Sequence, residues 1–113
     1  MTPLTILAAL SGALAVAAGA FGAHSATGVA AEWLRTGAHY QMIHAVAALV
    51  ALRMGARLPA GLFVAGGAVF GLSLYLMALG LPRWLGAVTP IGGVLLILGW
   101  LALAFHALRG RAE

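Results

Sequence analysis

TPIGGVLLILGWLALAFHAL occupies residues 89–108 and contains no Asp, Glu, Lys or Arg. An α-helix of this length spans about 30 Å, which is the thickness of the hydrocarbon core of a bilayer. The stretch begins with Thr89-Pro90, a capping hydroxyl followed by a proline at the first helical position, where its missing N–H removes no hydrogen bond. We therefore expect a transmembrane helix over residues 89–108.

Three further apolar segments of similar length precede this one. They run over about 3–23, 36–54 and 59–79, and Arg53 near the end of the second is the only charged residue within them. The chain is 64% hydrophobic and 7% charged, with a mean hydropathy of +1.09, so its polar residues are too few to cover a small soluble domain. The sequence predicts one all-α domain over 1–113, an integral membrane four-helix bundle whose short loops make neighbouring helices antiparallel.

The charged residues mark the ends of these segments. The arginines are spread along the chain rather than gathered on one face, which argues against a nucleic-acid partner. Cytoplasmic loops of membrane proteins carry the excess of basic residues. This rule predicts an N-in, C-in topology, with Arg53, Arg57, Arg109 and Arg111 on the inner side and only Arg35 and Arg83 on the outer side.

Small residues recur at helical spacing in the predicted spans. Because lipid provides no hydrophobic force between helices, close packing of small side chains must help to hold the bundle together. We assign this role to Gly12, Gly19, Gly67, Gly71, Gly92 and Gly99. The same pattern suits packing within one chain and a face for a homo-oligomer, and both alternatives predict closely approaching backbones.

Polar side chains concentrate in the outer half of the predicted bundle. The candidate residues there are His24, His39, Tyr40, Gln41, His44, Ser73 and Tyr75. Tyr40 and His44 are one helical turn apart and share a face, whereas His39 and His44 point about 140° apart. A metal site would therefore need His24 or Glu32 as a further ligand, and we predict neither a metal nor a cofactor. The cluster is interpreted either as a hydrogen-bonded network that sets helix register or as a site for a small ligand.

Signals of catalysis are missing from the sequence. The chain has no cysteine, no glycine-rich phosphate loop and no pair of acids within a span, and its serines lack a partner base at a recognisable spacing. We predict a protein without enzymatic activity and without an indicated small-molecule substrate, whose partners are membrane lipids. The alternative is an oligomeric transporter or channel component for a proton, an ion or a small solute, since histidine can carry a proton within a span.

An ordered set of short motifs resembles a known family. The motifs are Gly19-Ala20-Phe21-Gly22-Ala23-His24, Trp33, Tyr40-Gln41, His44-Ala45, Gly71-Leu72-Ser73-Leu74-Tyr75, Leu85-Gly86, Thr89-Pro90-Ile91-Gly92-Gly93 and Gly99-Trp100. Together they are similar to the transmembrane protein 256 family, also known as domain-of-unknown-function family 423. The resemblance implies a four-span protein of the bacterial inner membrane, and it implies no established activity, substrate or cofactor.

Overall fold

A computed structural model describes residues 3–110 of the protein. Arg111 and the other residues at the two chain ends lie outside this described part. Four α-helices and one short 3₁₀ helix follow one another. They are α1 (Pro3–His24), α2 (Gly28–Arg53), α3 (Arg57–Ala78), the 3₁₀ helix (Arg83–Ala87) and α4 (Thr89–Gly110). The predicted all-α fold of four helices is confirmed, whereas the N-in, C-in orientation stays a prediction.

Three of the helices are long and apolar enough to cross a bilayer by themselves, and these are α1, α3 and the segment that contains α4. The remaining helix, α2, is more polar and packs against both α1 and α3. Since α2 runs beside two membrane-spanning helices, Gln41 and His44 are buried against protein, whereas His39 and Tyr40 stay exposed. This position explains how the buried polar side chains of a span with two histidines are accommodated in a membrane.

The start of α2 differs from the sequence prediction. We expected a helix from residue 36, because Glu32 and Arg35 suggested a loop, but α2 begins at Gly28. Both charged side chains are exposed, while Ala31 and Leu34 on the other face are buried. A helix tolerates charges on its solvent-facing side, so charge alone did not mark the boundary.

The helices form a flattened bundle rather than a square one. α1, α2 and α3 all contact one another, α4 packs along α3, and α1 and α4 are not neighbours. The molecule accordingly measures 51 × 26 × 19 Å. We call the end that holds the start of α1, the α2–α3 turn and the end of α4 the terminal rim, and the other end the opposite rim.

The turns that follow α2 and α3 each contain a glycine in left-handed geometry. Gly55 follows α2 with a φ of 75° and Gly80 follows α3 with a φ of 102°. Side chains rarely adopt this conformation, whereas glycine does so without strain. The α2–α3 turn can therefore be short, and it brings Arg57 close to the end of α2.

Glycines also lie where the helices approach most closely. A Cβ atom built on Gly19 would lie 3.4 Å from the Cβ of Ala38 in α2, and one on Gly99 would lie 2.7 Å from the ring of Phe63 in α3. Gly92 meets backbone instead of a side chain, since its Cβ would lie 2.8 Å from the Cα of Phe70. All six glycines assigned to packing face another helix of the same chain: Gly12 and Gly19 face α2, Gly67 and Gly71 face Gln41 of α2, and Gly92 and Gly99 face α3.

The apolar core is divided into two clusters. The cluster towards the terminal rim is built around Phe63, with Leu96 and a group of alanines. The cluster towards the opposite rim contains Leu34, Tyr75 and two alanines. Gln41, which is 2% exposed, lies on α2 between them. A polar layer thus crosses the interior at about half its depth.

Candidate functional site

The polar layer is a chain of hydrogen bonds across three helices. The Tyr75 hydroxyl donates to the Gln41 Oε1 atom at 2.7 Å, and the Gln41 Nε2 atom donates to the Ser11 Oγ atom at 3.0 Å. Tyr75 belongs to α3, Gln41 to α2 and Ser11 to α1. Gln41 therefore connects both neighbours of α2 at one height, which sets the register of the three helices.

Small residues make room for this network. A Cβ atom on Gly71 would lie 3.2 Å from the Tyr75 hydroxyl and 3.3 Å from the Gln41 Oε1 atom. On Gly37, it would lie 2.6 Å from the Tyr75 ring. The two glycines thus allow a large polar pair to fit between closely packed helices. Among the described residues, no buried side-chain nitrogen or oxygen lacks a hydrogen-bond partner.

His44 makes a second polar contact, on the side of α2 that faces α4. Its Nδ1 atom donates to the Tyr40 carbonyl oxygen at 2.6 Å, and its Nε2 atom accepts a hydrogen bond from Trp100 Nε1 at 2.9 Å. A ring nitrogen that accepts a hydrogen bond carries no proton. This geometry therefore requires a neutral imidazole with its proton on Nδ1.

A groove lies beside this contact, between α2 and α4, and α3 forms its floor. Its volume is about 460 Å³. We call it the α2–α4 groove, and it is lined by Tyr40, His44, Phe70, Gly93, Leu96, Ile97 and Trp100. Tyr40 is 44% exposed and Trp100 is 45% exposed, so the groove opens sideways, towards the lipid. A smaller hollow of about 250 Å³ shares Trp100 and continues along α2 past Val46.

Aromatic rings form one wall of the α2–α4 groove. The Tyr40 and His44 rings are nearly parallel, with an angle of 8° between their planes and 6.4 Å between their centroids. Phe70 lies 4.7 Å from Tyr40, and Trp100 lies 5.7 Å from His44, measured between ring centroids. Aromatic rings have few rotatable bonds, so this wall is comparatively rigid.

Hydrogen bonds hold α4 at three depths. Near the opposite rim, Ser73 donates its hydroxyl proton to the Phe70 carbonyl at 2.9 Å. Because that proton is used, Thr89 is the donor in its 2.6 Å bond to the Ser73 Oγ atom. Trp100 makes its bond to His44 about halfway along the helix. At the terminal rim, His106 Nε2 donates to the Met54 carbonyl at 3.0 Å. The position of α4, and with it the width of the groove, therefore depends on side-chain contacts as well as on glycine packing.

Comparison with known proteins identifies the family. The chain matches the family model described as protein of unknown function (DUF423) over residues 18–93. The UPF0382 inner membrane protein YgdD of Escherichia coli K12 is 42% identical to it, over 94% of this chain and 89% of the relative. The chain belongs to this family.

Relatives occur in other bacteria as well. A UPF0382 membrane protein of Haemophilus influenzae is 39% identical over 94% of each chain. The UPF0382 membrane protein SERP0230 of Staphylococcus epidermidis is 38% identical over 96% of this chain and 98% of the relative. No solved structure matches the chain. Like its UPF0382 relatives it is a membrane protein, and its apolar helices make it a multi-pass protein of the bacterial inner membrane.

The residues of the predicted polar cluster separate into distinct groups. Gln41 and Tyr75 belong to the polar layer, Tyr40 and His44 line the α2–α4 groove, and Ser73 connects α3 to Thr89. His24 is exposed at the end of α1, and His39 is exposed on α2, where its ring contacts Tyr40 edge-on. Within residues 3–110, no three His, Asp or Glu side chains lie close enough to hold a metal ion.

Three participants were absent from the predicted cluster. Ser11 was not among the predicted polar candidates, but it lies in phase with Ala8, Ala15 and Ala18 on the buried face of α1. This helical spacing could have indicated that Ser11 faces another helix and finds its partner there. Trp100 stands in the middle of an aliphatic span, where its indole N–H needs an acceptor. Thr89 was interpreted only as a cap, although its hydroxyl lies within reach of Ser73.

Proposed function

We propose that this protein is a non-enzymatic binding protein of the membrane, and that the α2–α4 groove holds the apolar part of an amphiphile dissolved in the bilayer. The observation that carries the proposal is the placement of the groove. It combines a rigid aromatic wall with a sideways opening to lipid, at the depth of the His44–Trp100 hydrogen bond. Ligand pockets are usually concave and apolar with a few placed polar groups, which describes this groove.

The groove has one polar group that is free to contact a ligand. The Tyr40 hydroxyl makes no hydrogen bond with any residue of the described part of the chain. It extends from a ring that is already held between His44 and Phe70. An apolar body with a polar tip suits a ligand of the same character. In the proposed complex, the apolar part lies against Ile97 and Trp100, and the polar group of the ligand bonds to Tyr40.

The polar layer supports the same proposal in a structural role. Ser11, Gln41 and Tyr75 bond to one another in the interior and do not line the groove, so they connect the helices instead of contacting a ligand. By setting the register of α1, α2 and α3, they hold the floor and one wall of the groove in place. A site that is already formed loses less entropy when it binds.

The transporter alternative receives less support from a single copy of the chain. The buried polar groups are satisfied inside the protein, which leaves them unavailable to line a hydrated path. His44 is held by two hydrogen bonds and would lose its bond from Trp100 on taking up a second proton. Transport would therefore need several copies or a large rearrangement.

The proposal can be tested by photochemical labelling. The purified protein is placed in liposomes that contain a phospholipid with a diazirine on one acyl chain, and the labelled residues are mapped by mass spectrometry. We expect labels to concentrate on Ile97 and Trp100, compared with Leu14, which faces outward at a similar depth on α1. Gly93→Leu, which fills the groove, should remove this excess.

Gly93→Ala is the matched control for this experiment. A Cβ atom at residue 93 would lie 4.0 Å from the Phe70 ring, so the small side chain fits and should leave the labelling unchanged. Equal labelling of Leu14 and Trp100 in the wild type would refute the proposal. The proposal would also be refuted if the groove residues were protected from the probe and could be cross-linked to a second copy of the chain. The occupant of the groove would then be a helix of the same protein.

A further inference from the structure

A second cavity lies at the terminal rim, away from the polar layer. Its volume is about 640 Å³. It is enclosed by the α2–α3 turn, the first turn of α3 and the last turns of α4, with Arg57, Leu58, Ala102, Phe105, His106 and Arg109 among its lining residues. We call it the rim pocket.

Positive charge dominates the rim pocket. Arg57 and Arg109 come from different helices, and both are exposed. His106 also lines the pocket and donates from Nε2 to the Met54 carbonyl, which leaves its Nδ1 atom free. Among the described residues, no acidic side chain lines the pocket. The only carboxylate side chain in the described part of the chain, Glu32, lies near the start of α2 at the opposite rim. The two guanidinium groups thus have no acidic partner in residues 3–110.

Apolar surface adjoins this charge. Leu58 is 68% exposed and Phe105 is 60% exposed. The Arg109 guanidinium lies over the Phe105 ring, 5.7 Å from its centroid. A basic group that borders an apolar wall at the edge of a membrane-spanning helix matches a molecule with an anionic head and an apolar tail. Basic pockets between transmembrane helices are known to hold the head groups of anionic lipids.

We propose that the rim pocket binds the phosphate of an anionic phospholipid, with Arg57 and Arg109 as its main contacts and an acyl chain against Phe105 and Leu58. A free phosphate ester would satisfy the arginines but would leave the apolar wall uncovered. A phospholipid would contact the arginines through its phosphate and cover the apolar wall with its acyl chain. This inference is independent of the α2–α4 groove, which shares no lining residue with the rim pocket.

Native mass spectrometry of the full chain in neutral detergent tests the inference. The protein is equilibrated with equal amounts of phosphatidylglycerol and phosphatidylcholine, and the retained lipid is counted. We expect the wild type to prefer phosphatidylglycerol. Each of the single variants Arg57→Gln and Arg109→Gln should lower this preference by about fivefold, which corresponds to about 1 kcal/mol for each charge. Arg53→Gln is the control, since Arg53 has the same charge on the same rim but does not line the pocket.

Two further arms distinguish the lipid from other sources of phosphate and charge. Glycerol 3-phosphate at millimolar concentration should not displace the lipid, and Phe105→Ala should weaken retention without changing the charge. The inference is overturned if Arg53→Gln lowers the preference as much as Arg57→Gln does, because any surface charge would then suffice. It is also overturned if the soluble ester competes on equal terms. Circular dichroism of each variant confirms that the helices are intact.

Discussion

Replacing Gln41 by methionine should destabilise the protein through the polar layer alone. Methionine has the length of glutamine and no branch, so it preserves the packing against Gly67 and Gly71, whose added Cβ atoms would lie 3.8 Å and 3.3 Å from Gln41 atoms. The substitution removes the bonds to Ser11 and Tyr75. Ser11 can turn its hydroxyl to a carbonyl one turn back in α1, whereas Tyr75 is left with a buried hydroxyl.

The expected magnitude follows from these two bonds. Hydrogen bonds between membrane helices contribute about 0.6 kcal/mol on average and up to about 1.7 kcal/mol. We expect Gln41→Met to lower the free energy of unfolding by about 2 kcal/mol, with most of the loss from the orphaned Tyr75 hydroxyl. In the wild type, Tyr75→Phe should lower it by about 1 kcal/mol, because the Gln41 carbonyl oxygen then loses its donor. In the Gln41→Met background, the same change removes the orphaned hydroxyl and should be neutral or stabilising.

Unfolding of the purified protein by rising fractions of sodium dodecyl sulfate in mixed micelles, followed by circular dichroism, measures these free energies. The wild type, the two single variants and the double variant form a cycle that isolates the coupling between residues 41 and 75. If Tyr75→Phe lowers stability equally in both backgrounds, the two side chains are not coupled. Equal stability of Gln41→Met and the wild type would show that the polar layer does not hold the helices.

Gly92→Ala should separate α3 from α4 and lower the free energy of unfolding by about 1–3 kcal/mol, because its Cβ would meet the backbone of Phe70, whereas Gly93→Ala should be nearly neutral in the same assay. Trp100→Phe should lower stability by about 1 kcal/mol and shift the ¹⁵N resonance of the His44 Nε2 atom, since that nitrogen loses its donor; an unchanged resonance would contradict the hydrogen bond. A periplasm-dependent reporter fused to the C-terminus should stay inactive on the predicted N-in, C-in topology, and an active fusion would reverse it.

The four helices could be predicted from the sequence because their signal is local. A span is specified by a run of apolar residues of the right length, and 89–108 shows this without reference to any other part of the chain. The start of α2 was less accessible, since Glu32 and Arg35 suggested a loop although they lie on the exposed face of a helix. Charged residues such as these indicate where a helix leaves the lipid, and the helix can continue beyond that position.

The polar candidates illustrate a different limit. The spacing along α2 placed Tyr40 and His44 on one face and His39 on another, as the structure has them. The same spacing could not indicate that Gln41 bonds to Ser11 and Tyr75, because those partners are 30 and 34 residues away in the chain. Trp100 and His44 are 56 residues apart.

The amino-acid sequence by itself determined that this protein is an all-α membrane protein with four helices, because hydropathy and helical length are properties of each segment alone. Only the tertiary structure decided that α4 packs along α3 without reaching α1, and this arrangement opens the α2–α4 groove. The physical reason is that helix order in lipid depends on which small residues and hydrogen-bonding groups meet across the bundle. Glycines as far apart as Gly66 and Gly92 must come together before that order exists.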